Sequence, residues 1–456
     1  MGGRLMSSLI YLGVYNMLNL KNLTDDQRDA VDRIYENDNT LLVADMGAGK
    51  TVVSLTAVSE LLRDNEIKRV LVISTIKIAA NVWKTETKKW DHLKHLDIAL
   101  AIGDANVRSA AIESDNNIVC INFENVRWFV EKYKIHDFDG LVIDEVTKLK
   151  GGGSNFKALR KIIREFKYRL CMTGTPISES WSSLFALMLL TDTGKALGRN
   201  KTKFLEKYFY PTDYERRNWK LIPEQEKEIL SKIGSCLYYL PDYRHLLPPL
   251  KEIEVRVAMD DHTEIMYSNF KRDCIAVLND DEVSAPNAAA LSGKLQQVTQ
   301  GFIYSENDVI HKLTPHKLHA LKELPCIKNK LPTMVIYWFK QDRAYLLDAF
   351  PDAVDLSDAA SIAAWNAGAV PVLLCQPKSC GHGLNLSEGG CNIVFYSQLW
   401  SGDLTKQAIG RLYRRNQTQE VTVTYLMLEK SIDYLMRNRV ENKAAYHRLL
   451  LEHLTS

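Results

Sequence analysis

A glycine-rich segment near the start of the chain has residue types that could hold phosphate groups. Residues 44–51 read Ala-Asp-Met-Gly-Ala-Gly-Lys-Thr and lie between the apolar run Leu41–Val43 and the helical pattern Val52–Leu62. Gly47 and Gly49 would let the backbone wrap around phosphate oxygens, and the helix that follows would present its positive N-terminus to them. The segment therefore predicts a phosphate-binding loop in a strand-loop-helix setting.

The last two residues of this loop, Lys50 and Thr51, carry its ammonium and hydroxyl groups. Lys50 is predicted to pair with the β- and γ-phosphates of a nucleotide, and Thr51 to hold Mg²⁺ through its hydroxyl. Ala44 replaces the first glycine of the strict pattern, which changes the turn geometry rather than the ligand chemistry. The loop residues expected to bind nucleotide are Gly47, Ala48, Gly49, Lys50 and Thr51.

A second apolar run, Leu141–Ile143, ends in two carboxylates, Asp144 and Glu145. A strand that ends in Asp-Glu is common by itself, but this one follows a phosphate loop along the chain. We therefore expect Asp144 to bind Mg²⁺ through its water shell, and Glu145 to polarise the water that attacks the γ-phosphate.

Two further motifs carry polar groups at regular spacing. Residues 173–176 read Thr-Gly-Thr-Pro, and the later segment Gln407–Gln417 has Gln407, Arg411 and Arg414 at spacings of four and three. This spacing predicts that the three side chains lie on one face of a helix. A solvated basic helix shows the same pattern, so by itself the segment leaves both interpretations open.

Short apolar runs alternate with helical patterns between these motifs, which predicts βαβ units and parallel sheets. The first series of strand-like runs is Leu41–Ala44, Val70–Ser74, Ile118–Asn122, Leu141–Ile143 and Arg169–Met172. The second series is Thr333–Tyr337, Val370–Cys375, Asn392–Tyr396 and Val421–Leu426. The sequence therefore predicts two α/β lobes, with the phosphate loop in the first.

Between the two series the pattern changes to charged helical stretches, with a proline-rich bend at Leu246–Leu250 and an alternating run at Ile253–Met259. We predict lobe 1 at 1–190, a mainly helical insert at 191–325, and lobe 2 at 326–456 with a C-terminal helix. A chain of 456 residues agrees with two core domains, because one hydrophobic core stops growing at roughly 250–300 residues.

The composition is that of an ordinary globular protein, with 46% hydrophobic and 25% charged residues. The formal net charge is only +2, so nucleic-acid contact would need a local patch rather than the field of the whole chain. The apolar stretch Leu5–Leu20 contains polar residues and is too short for a membrane span, which needs about 20 apolar residues. We predict that it packs on the first lobe as a strand or helix, or that it is an upstream extension if translation begins at Met17. We also predict that the protein is cytoplasmic and contacts no membrane.

The order of the motifs resembles superfamily-two helicases, and specifically their Swi/Snf-like branch. The motifs are Gln27 in Leu-Thr-Asp-Asp-Gln, the loop at 44–51, Asp144-Glu145, Thr-Gly-Thr-Pro at 173–176, Gly-His-Gly-Leu-Asn-Leu at 381–386, and Gln407–Gln417. The resemblance extends over most of the chain and implies two RecA-like parallel-sheet lobes that share one ATP site. The short insert and second lobe resemble the compact forms found in bacteriophages and bacteria.

The resemblance also implies a role for each motif. Gln27 would read the adenine edge, and Arg411 and Arg414 would act as arginine fingers that reach from lobe 2 to ATP held by lobe 1. The positions implied to contact nucleic acid, or to couple its binding to hydrolysis, are Thr75, Lys77, Phe123, Thr173, Gly174, Thr175, Gly383, Asn385 and Gln407.

One departure from the family pattern lies beside the two carboxylates. Residues 144–147 read Asp-Glu-Val-Thr, where the usual box is Asp-Glu-Ala-His. Both catalytic carboxylates are kept, but the histidine that often links the ATP site to the other motifs is replaced. Coupling between the motifs would therefore run differently in this chain.

The resemblance predicts an ATPase that uses ATP and Mg²⁺ and couples hydrolysis between the lobes to movement along DNA, preferably duplex DNA. Two alternatives stay open. A strand-separating DNA or RNA helicase would share every ATP-site residue and would add a separating wedge. A phage interaction factor would use the same fold with little turnover, although the intact Lys50, Asp144, Glu145 and both arginines argue against a dead enzyme.

Overall fold

The structure is a computed structural model that describes residues 17–45, 47–135, 137–177, 180–241, 243–279, 285–305, 309–377, 385–414, 417–438 and 440. Most of the predicted packing segment Leu5–Leu20 lies outside these ranges. Near its end, Leu18 forms a parallel bridge with Trp90 of the first lobe. The end of that segment therefore contacts the first lobe.

The first lobe is built on a seven-stranded sheet in which all neighbouring strands are parallel. Its strands are β1 (Asn39–Val43), β2 (Val70–Ser74), β3 (Ile98–Ala101), β4 (Ile118–Asn122), β5 (Gly140–Asp144), β6 (Tyr168–Thr173) and, after an antiparallel hairpin of β7 (Phe209–Pro211) and β8 (Trp219–Leu221), β9 (Leu237–Tyr239). The sheet order β3-β4-β2-β5-β6-β1-β9 places β5, β6 and β1 side by side.

Helices cover both faces of this sheet. They are α1 (Asp25–Glu36), α2 (Lys50–Arg63), α3 (Ile76–Ile78), α4 (Lys84–Lys89), α5 (Ala105–Ile112), α6 (Val126–Tyr133), α7 (Ser154–Ile162), α8 (Ser183–Thr191), α9 (Lys201–Tyr208) and α10 (Gln225–Ile233). Successive strand residues such as Leu41 and Leu42 point into different apolar cores, one on each face. Burial on both faces explains why the strands read as continuous apolar runs.

The second lobe has a six-stranded sheet that is also parallel throughout. Its order is β10-β17-β16-β13-β15-β14. The strands of this lobe are β10 (Leu250–Val257), the hairpin strands β11 (Phe302–Tyr304) and β12 (Ile310–Lys312), then β13 (Thr333–Ile336), β14 (Val354–Asp355), β15 (Val372–Cys375), β16 (Asn392–Phe395) and β17 (Val421–Leu428).

The helices of the second lobe also lie on both faces of its sheet, which again separates two apolar cores. They are α11 (Asp261–Asn279), α12 (Ala285–Thr299), α13 (His316–Glu323), α14 (Pro325–Lys328), α15 (Lys340–Ala349), α16 (Ala359–Asn366) and α17 (Gly402–Ile409). Residues 432–438 are helical too. Two parallel sheets flanked by helices confirm the predicted fold class. In the described ranges, no helix is both long and apolar enough to span a membrane.

The segment 191–325 is divided between the lobes and is not one separate insert. Its strand β9 pairs with β1, where Leu237 faces Leu41, and its strand β10 pairs with β17, where Leu250 faces Val421. Helices α11 and α12 pack on residues 432–438 of the second lobe through a small apolar cluster. The prediction of one insert at 191–325 is therefore wrong. The backbone N–H and C=O groups of β9 and β10 find their hydrogen-bond partners in strands far away in the chain, which the sequence does not reveal.

Candidate active site

Three loops of the first lobe meet at one edge of its sheet. The phosphate loop follows β1, Asp144 ends β5, and Thr173 ends β6, and these three strands are neighbours. Neighbouring parallel strands have their carboxyl ends at the same edge, so residues that are distant in the chain come together there. The sheet order thus gathers the first three motifs into one site.

Two glycines of the phosphate loop have backbone conformations that other residues rarely adopt. Gly47 has a φ of +79° and Gly49 a φ of +94°. Neither has room for a side chain: a Cβ on Gly47 would strike the hydroxyl of Tyr243, and one on Gly49 would strike the amide of Gln27. Met46 lies outside the described residues. The positive φ is therefore the main reason that glycine suits both positions, and the close side chains add to it.

Lys50 is the first residue of α2, and its side chain reaches back over the loop. Its Nζ donates to the carbonyl oxygen of Ala44 at 2.7 Å and lies 3.7 Å from where a Cβ on Gly174 would stand. Thr51 follows in the first turn of α2 and is half-buried. The ammonium group of Lys50 is therefore held beside the helix N-terminus, where a phosphate would bind.

Asp144 is buried at the end of β5. Its Oδ2 accepts hydrogen bonds from Trp83 Nε1 at 3.0 Å and from Ser74 Oγ at 3.4 Å. Burial raises the pKa of this carboxyl above its ordinary value, although the bond from Trp83 and the charge of Lys50 act against the rise. Mg²⁺ prefers oxygen ligands and takes part of its shell from substrate phosphates and water, so Asp144 with the hydroxyl of Thr51 is a fitting donor set.

Glu145 turns the chain away from the strand with a left-handed backbone, φ +73°. Its Oε1 accepts from the hydroxyl of Thr147 at 2.6 Å and from that of Thr173 at 2.7 Å. The Oγ1 of Thr173 in turn accepts from the backbone N–H of Thr175 at 3.1 Å. Thr147 stands at the position where the usual box has histidine. In this chain, hydroxyl groups contact Glu145, and that of Thr173 links it to the Thr-Gly-Thr-Pro motif at 173–176.

Gln27 lies in the first turn of α1, and its side chain is buried against the phosphate loop. Its Oε1 accepts from the N–H of Thr24 at 3.1 Å, within the capping box of α1, and its Nε2 donates to the carbonyl of Ala48 at 2.8 Å. The amide therefore braces the phosphate loop from the side. Reading of the adenine edge by Gln27 stays a prediction.

The second lobe presents its arginines from a turn and not from a helix. Helix α17 ends at Ile409 and Gly410 caps it, so the prediction that Gln407, Arg411 and Arg414 share one helical face is wrong. Glycine disfavours helix continuation because it loses more backbone entropy there than other residues. Gln407 stays within the helix and is half-buried, whereas both arginines lie beyond its end.

Arg414 nevertheless lies against the first lobe. Its Cβ is 3.6 Å from where a Cβ on Gly47 would stand, and burial lowers its pKa while Tyr243 and Glu86 act in the opposite direction. Arg411 is 4% exposed, and burial together with the charge of Arg414 lowers its pKa to about 10. Two close and poorly solvated guanidinium groups favour the binding of an anion at this point.

A cleft of about 290 Å³ lies between the lobes, and Glu145 and Thr147 are among the groups described above that line it. Its described lining residues are Asp45, Glu145, Thr147, Lys148, Lys150, Gly174 and Thr175 from lobe 1, with Ser401, Asp403, Leu404, Lys406 and Gln407 from lobe 2. The structure therefore brings predicted residues of both lobes to one space.

The larger part of the chain matches a known family. The family model described as the SNF2-related domain matches residues 16–302. The chain belongs to the SNF2-related family. This membership confirms the Swi/Snf-like resemblance that the motif order predicts.

Individual relatives of this SNF2-related chain come from a phage and from eukaryotes. Protein p41 of Acyrthosiphon pisum secondary endosymbiont phage 1 is 29% identical, over 90% of this chain and 93% of its own length. The SWI/SNF-related matrix-associated actin-dependent regulator of chromatin subfamily A member 1 of Mus musculus is 24% identical over 92% of this chain. The ISWI chromatin-remodeling complex ATPase of Saccharomyces cerevisiae is 22% identical over 90% of it.

The relatives differ in length. The chain covers 42% of the Mus musculus protein and 38% of the Saccharomyces cerevisiae protein, whereas the phage relative has nearly the same extent. The phage relative thus agrees with the predicted compact type. Among solved structures, the Sulfolobus solfataricus SWI2/SNF2 ATPase core in complex with dsDNA is 20% identical and covers 91% of this chain and 90% of its own, with a TM-score of 0.46.

In this SNF2-related chain, the positions implied to contact nucleic acid lie in different environments. Thr75 caps α3, where its Oγ1 accepts from the N–H of Ile78 at 3.4 Å, and Lys77 is exposed on the same helix. Phe123 is only 6% exposed and belongs to an apolar core. Its side chain packs inside the lobe, and a role of Phe123 in nucleic-acid contact or coupling stays a prediction. Gly383 lies outside the described residues.

Asn385 and Gln417 hold loops of the second lobe in place. Asn385 Oδ1 accepts from the hydroxyl of Ser387 at 2.9 Å. Gln417 is buried, and its Nε2 donates to the carbonyls of Ser387 at 3.2 Å, Gly390 at 3.1 Å and Leu412 at 3.3 Å. Gln417 therefore fixes the turn that carries the two arginines, a role that the helical interpretation of this segment did not foresee.

Three residues that sequence reasoning did not assign to the site lie at its border. Trp83 contacts Asp144, Tyr243 lies over the phosphate loop, and Arg244 forms an ion pair with Asp45 at 2.5 Å. Tyr243 and Arg244 belong to a short 3-10 helix, Tyr243–Leu246, on the chain that leads from the first sheet to the second. The sequence marks only the residues that follow, Leu246–Leu250, as a proline-rich bend, because the contacts of Tyr243 and Arg244 are made with residues far away in the chain.

Proposed function

We propose that the chain is an ATP-dependent translocase that turns hydrolysis between its lobes into movement along duplex DNA. The observation that carries this proposal is the division of the site: Lys50 and Glu145 stand on the first lobe, and Arg414 meets Gly47 from the second. A nucleotide bound there would contact both lobes, so its hydrolysis would change their separation. Membership of the SNF2-related family and the names of its chromatin-remodelling relatives support DNA as the partner.

The residues of the first lobe would bind the nucleotide and prepare the attack. Lys50 and the N-terminus of α2 would hold the terminal phosphates, and Glu145 would orient the attacking water. Asp144 and Thr51 would hold Mg²⁺, which when bound would neutralise phosphate charge. Arg414 would stabilise the charge that develops on the γ-phosphoryl group as the cleft closes.

The test of this proposal is the rate of ATP hydrolysis with no nucleic acid, with single-stranded DNA, with duplex DNA and with RNA. Duplex DNA should stimulate hydrolysis most, and its binding should weaken steeply with salt because phosphate contacts release counterions. Displacement of a third strand from a DNA triplex then separates translocation from unwinding. Equal stimulation by single strands, or stimulation by RNA alone, would contradict the duplex assignment.

A strand-separating helicase is the second candidate because of one feature of the segment 191–325. The hairpin of β7 and β8 carries Tyr214 in its turn, where the side chain is fully exposed, and Arg216 follows. An exposed aromatic ring next to a cation suits stacking on an unpaired base. Unwinding of a forked duplex that Tyr214→Ala abolishes, with duplex-stimulated ATPase retained, would favour this candidate.

The use of Mg²⁺ and a cytoplasmic location, which is the host cytoplasm for a phage protein, belong to the same proposal. Chelation of Mg²⁺ by EDTA should stop turnover, and added Mg²⁺ should restore it. Fractionation of expressing cells would check the location.

A further inference from the structure

The hydrogen bond from Trp83 to Asp144 joins the turn that follows α3 to a carboxylate of the proposed ATP site. Trp83 ends a π-helical turn, Ala79–Trp83, that directly follows α3. Its side chain is fully buried, and its Nε1 donates to Asp144 Oδ2 at 3.0 Å. π-helical turns are rare and frequently lie at functional sites. Here the turn carries the indole onto a carboxylate of the ATP site.

A fixed donor on one carboxylate oxygen controls where the other oxygen points. The same Oδ2 also accepts from Ser74, but at the longer distance of 3.4 Å. Donors that orient the ligands of a metal ion affect its binding nearly as much as the ligands themselves. Asp144 is buried, and a hydrogen bond in a buried site is electrostatically stronger than it would be in water.

We propose that Trp83 is a positioning residue for Asp144 and that it couples nucleic-acid contact at Thr75 and Lys77 to Mg²⁺-nucleotide binding. This inference rests on the proposed function, which gives Asp144 its Mg²⁺ role, and on the contact with nucleic acid that the Swi/Snf-like resemblance implies for Thr75 and Lys77. The path is short: Thr75 caps α3, α3 runs into the π-helical turn, and the turn ends at Trp83. A shift of α3 on contact with DNA would move the N–H that orients Asp144.

The chain offers a matched control in Trp90. This residue is also buried, at 7% exposure, and its Nε1 donates to Glu86 Oε2 at 2.9 Å. The two tryptophans thus share the same part of the lobe and the same kind of hydrogen bond. Only Trp83 reaches the proposed Mg²⁺ carboxylate. Trp90→Phe therefore removes an indole donor to a carboxylate without changing the contact to Asp144.

The first measurement is the affinity for ADP by calorimetry, without nucleic acid, in Mg²⁺ and in EDTA. In Trp83→Phe the gain in ADP affinity that Mg²⁺ provides should fall about ten-fold, as is typical when a partner of a metal ligand is removed. The affinity in EDTA should stay unchanged, because the phosphate loop is untouched. Trp90→Phe should match the unsubstituted protein in both conditions.

The second measurement is the affinity for duplex DNA with and without Mg²⁺-ADP. Coupling between two sites is reciprocal, so the nucleotide must change DNA affinity by the same factor by which DNA changes nucleotide affinity. In Trp83→Phe this factor should move towards one, while DNA affinity without nucleotide is retained. Trp90→Phe should keep the original factor.

Phenylalanine also leaves a cavity, so the experiment is repeated with 3-benzothienylalanine at position 83, which keeps the ring shape but replaces the N–H with sulfur. If this variant keeps the full Mg²⁺ effect and the full coupling factor, the N–H has no positioning role and the inference is overturned. Asp144→Asn separates that result from failure of the proposed function. Retention of Mg²⁺-dependent ADP affinity in Asp144→Asn would show that Asp144 does not hold Mg²⁺ at all.

Discussion

The two lobes hold the charged groups of the candidate site in different ways, and we call these two sides of the site the first and the second wall. On the first lobe, the groups lie at strand ends or at a helix start and have close partners, a loop carbonyl for Lys50 and Thr173 for Glu145. On the second lobe, Arg411 and Arg414 lie in a turn beyond α17, and burial lowers the pKa of both. The first wall is arranged in advance, whereas the second concentrates positive charge that a phosphate would neutralise.

From this difference we infer, as part of the proposed function, that the two walls act at different stages. Groups that are set in place on one lobe can bind a nucleotide while the cleft is open. Cations on the opposite lobe contribute fully only when the cleft closes and charge develops on the transferred group. Substitutions on the two walls should therefore separate binding from chemistry.

The largest effects are expected on the first wall. Lys50→Ala should abolish ATP turnover and weaken nucleotide binding, because it removes the charge that anchors the terminal phosphates. Glu145→Gln should abolish turnover but retain ATP, because the amide keeps the shape of the side chain and cannot polarise water. Steady-state turnover and equilibrium binding of labelled ATP check both variants. Near-normal turnover of Lys50→Ala would rule out the site.

On the second wall, Arg414→Ala should lower kcat by something approaching the 10³–10⁵-fold credited to arginine fingers, with a much smaller change in ATP affinity. Arg411→Ala should show the same split between kcat and affinity. Arg343, which pairs with Asp355 elsewhere on the second lobe, is the control, and its replacement by Ala should change kcat little. Equal losses of kcat in Arg411→Ala, Arg414→Ala and the Arg343→Ala control would contradict a special role of the two arginines and with it the difference between the walls.

A smaller effect concerns a buried carboxyl that lies outside the cleft. Asp342 in α15 accepts from the backbone N–H groups of Trp338 and Phe339 and from the hydroxyl of Ser397. Burial raises its pKa to about 6, although these bonds and the charge of Lys317 act against the rise. The unfolded chain has the ordinary lower pKa, so it releases this proton first as the pH rises.

The contribution of Asp342 to stability is therefore complete at acidic pH and is lost as the pH rises towards 6. Relative to Asp342→Asn, the free energy of unfolding should fall by at most about 3 kcal/mol across that window. Urea unfolding of both proteins between pH 4 and pH 7 measures the difference. Parallel pH profiles would show that Asp342 keeps its ordinary pKa in the folded lobe.

The smallest effect is expected at the ion pair between Arg244 and Asp45, which joins the chain between the sheets to the phosphate loop. Its partners are partly exposed, at 41% and 15%, so it should contribute at most about 1 kcal/mol. Arg244→Ala should therefore raise the KM for ATP about five-fold or less and leave kcat nearly unchanged. Arg127→Ala, which removes an exposed pair within α6, serves as the control.

A double-mutant cycle with Asp45→Asn then isolates the interaction energy of this pair. Additive effects of Arg244→Ala and Asp45→Asn would mean that the pair does not hold the loop. A loss of ATP-binding affinity in Arg244→Ala as large as that in Lys50→Ala would instead make Arg244 a direct phosphate ligand.

Much of the fold could be predicted because its signals are local. Strands buried on both faces leave continuous apolar runs, so β2 and β4 begin and end at the predicted residues. The alternating run at Ile253–Met259 overlaps β10, but the assignment of β9 and β10 to one insert failed, since these strands are placed by pairing with Leu41 and Val421, far away in the chain. The helix predicted at Gln407–Gln417 failed because Gly410 ends it and Gln417 is used to tie the turn.

The sequence by itself determined which groups the first wall offers: the glycines of the predicted phosphate loop, the lysine at its end, and the two carboxylates that follow a later apolar strand. It could do so because each motif is contiguous and its backbone setting is fixed by its own neighbours. Only the tertiary structure decided that Trp83 orients Asp144, that Tyr243 covers Gly47 and that Arg414 meets the same glycine. Such contacts depend on how buried side chains pack across distant segments, and packing of this kind leaves no periodic pattern in the chain.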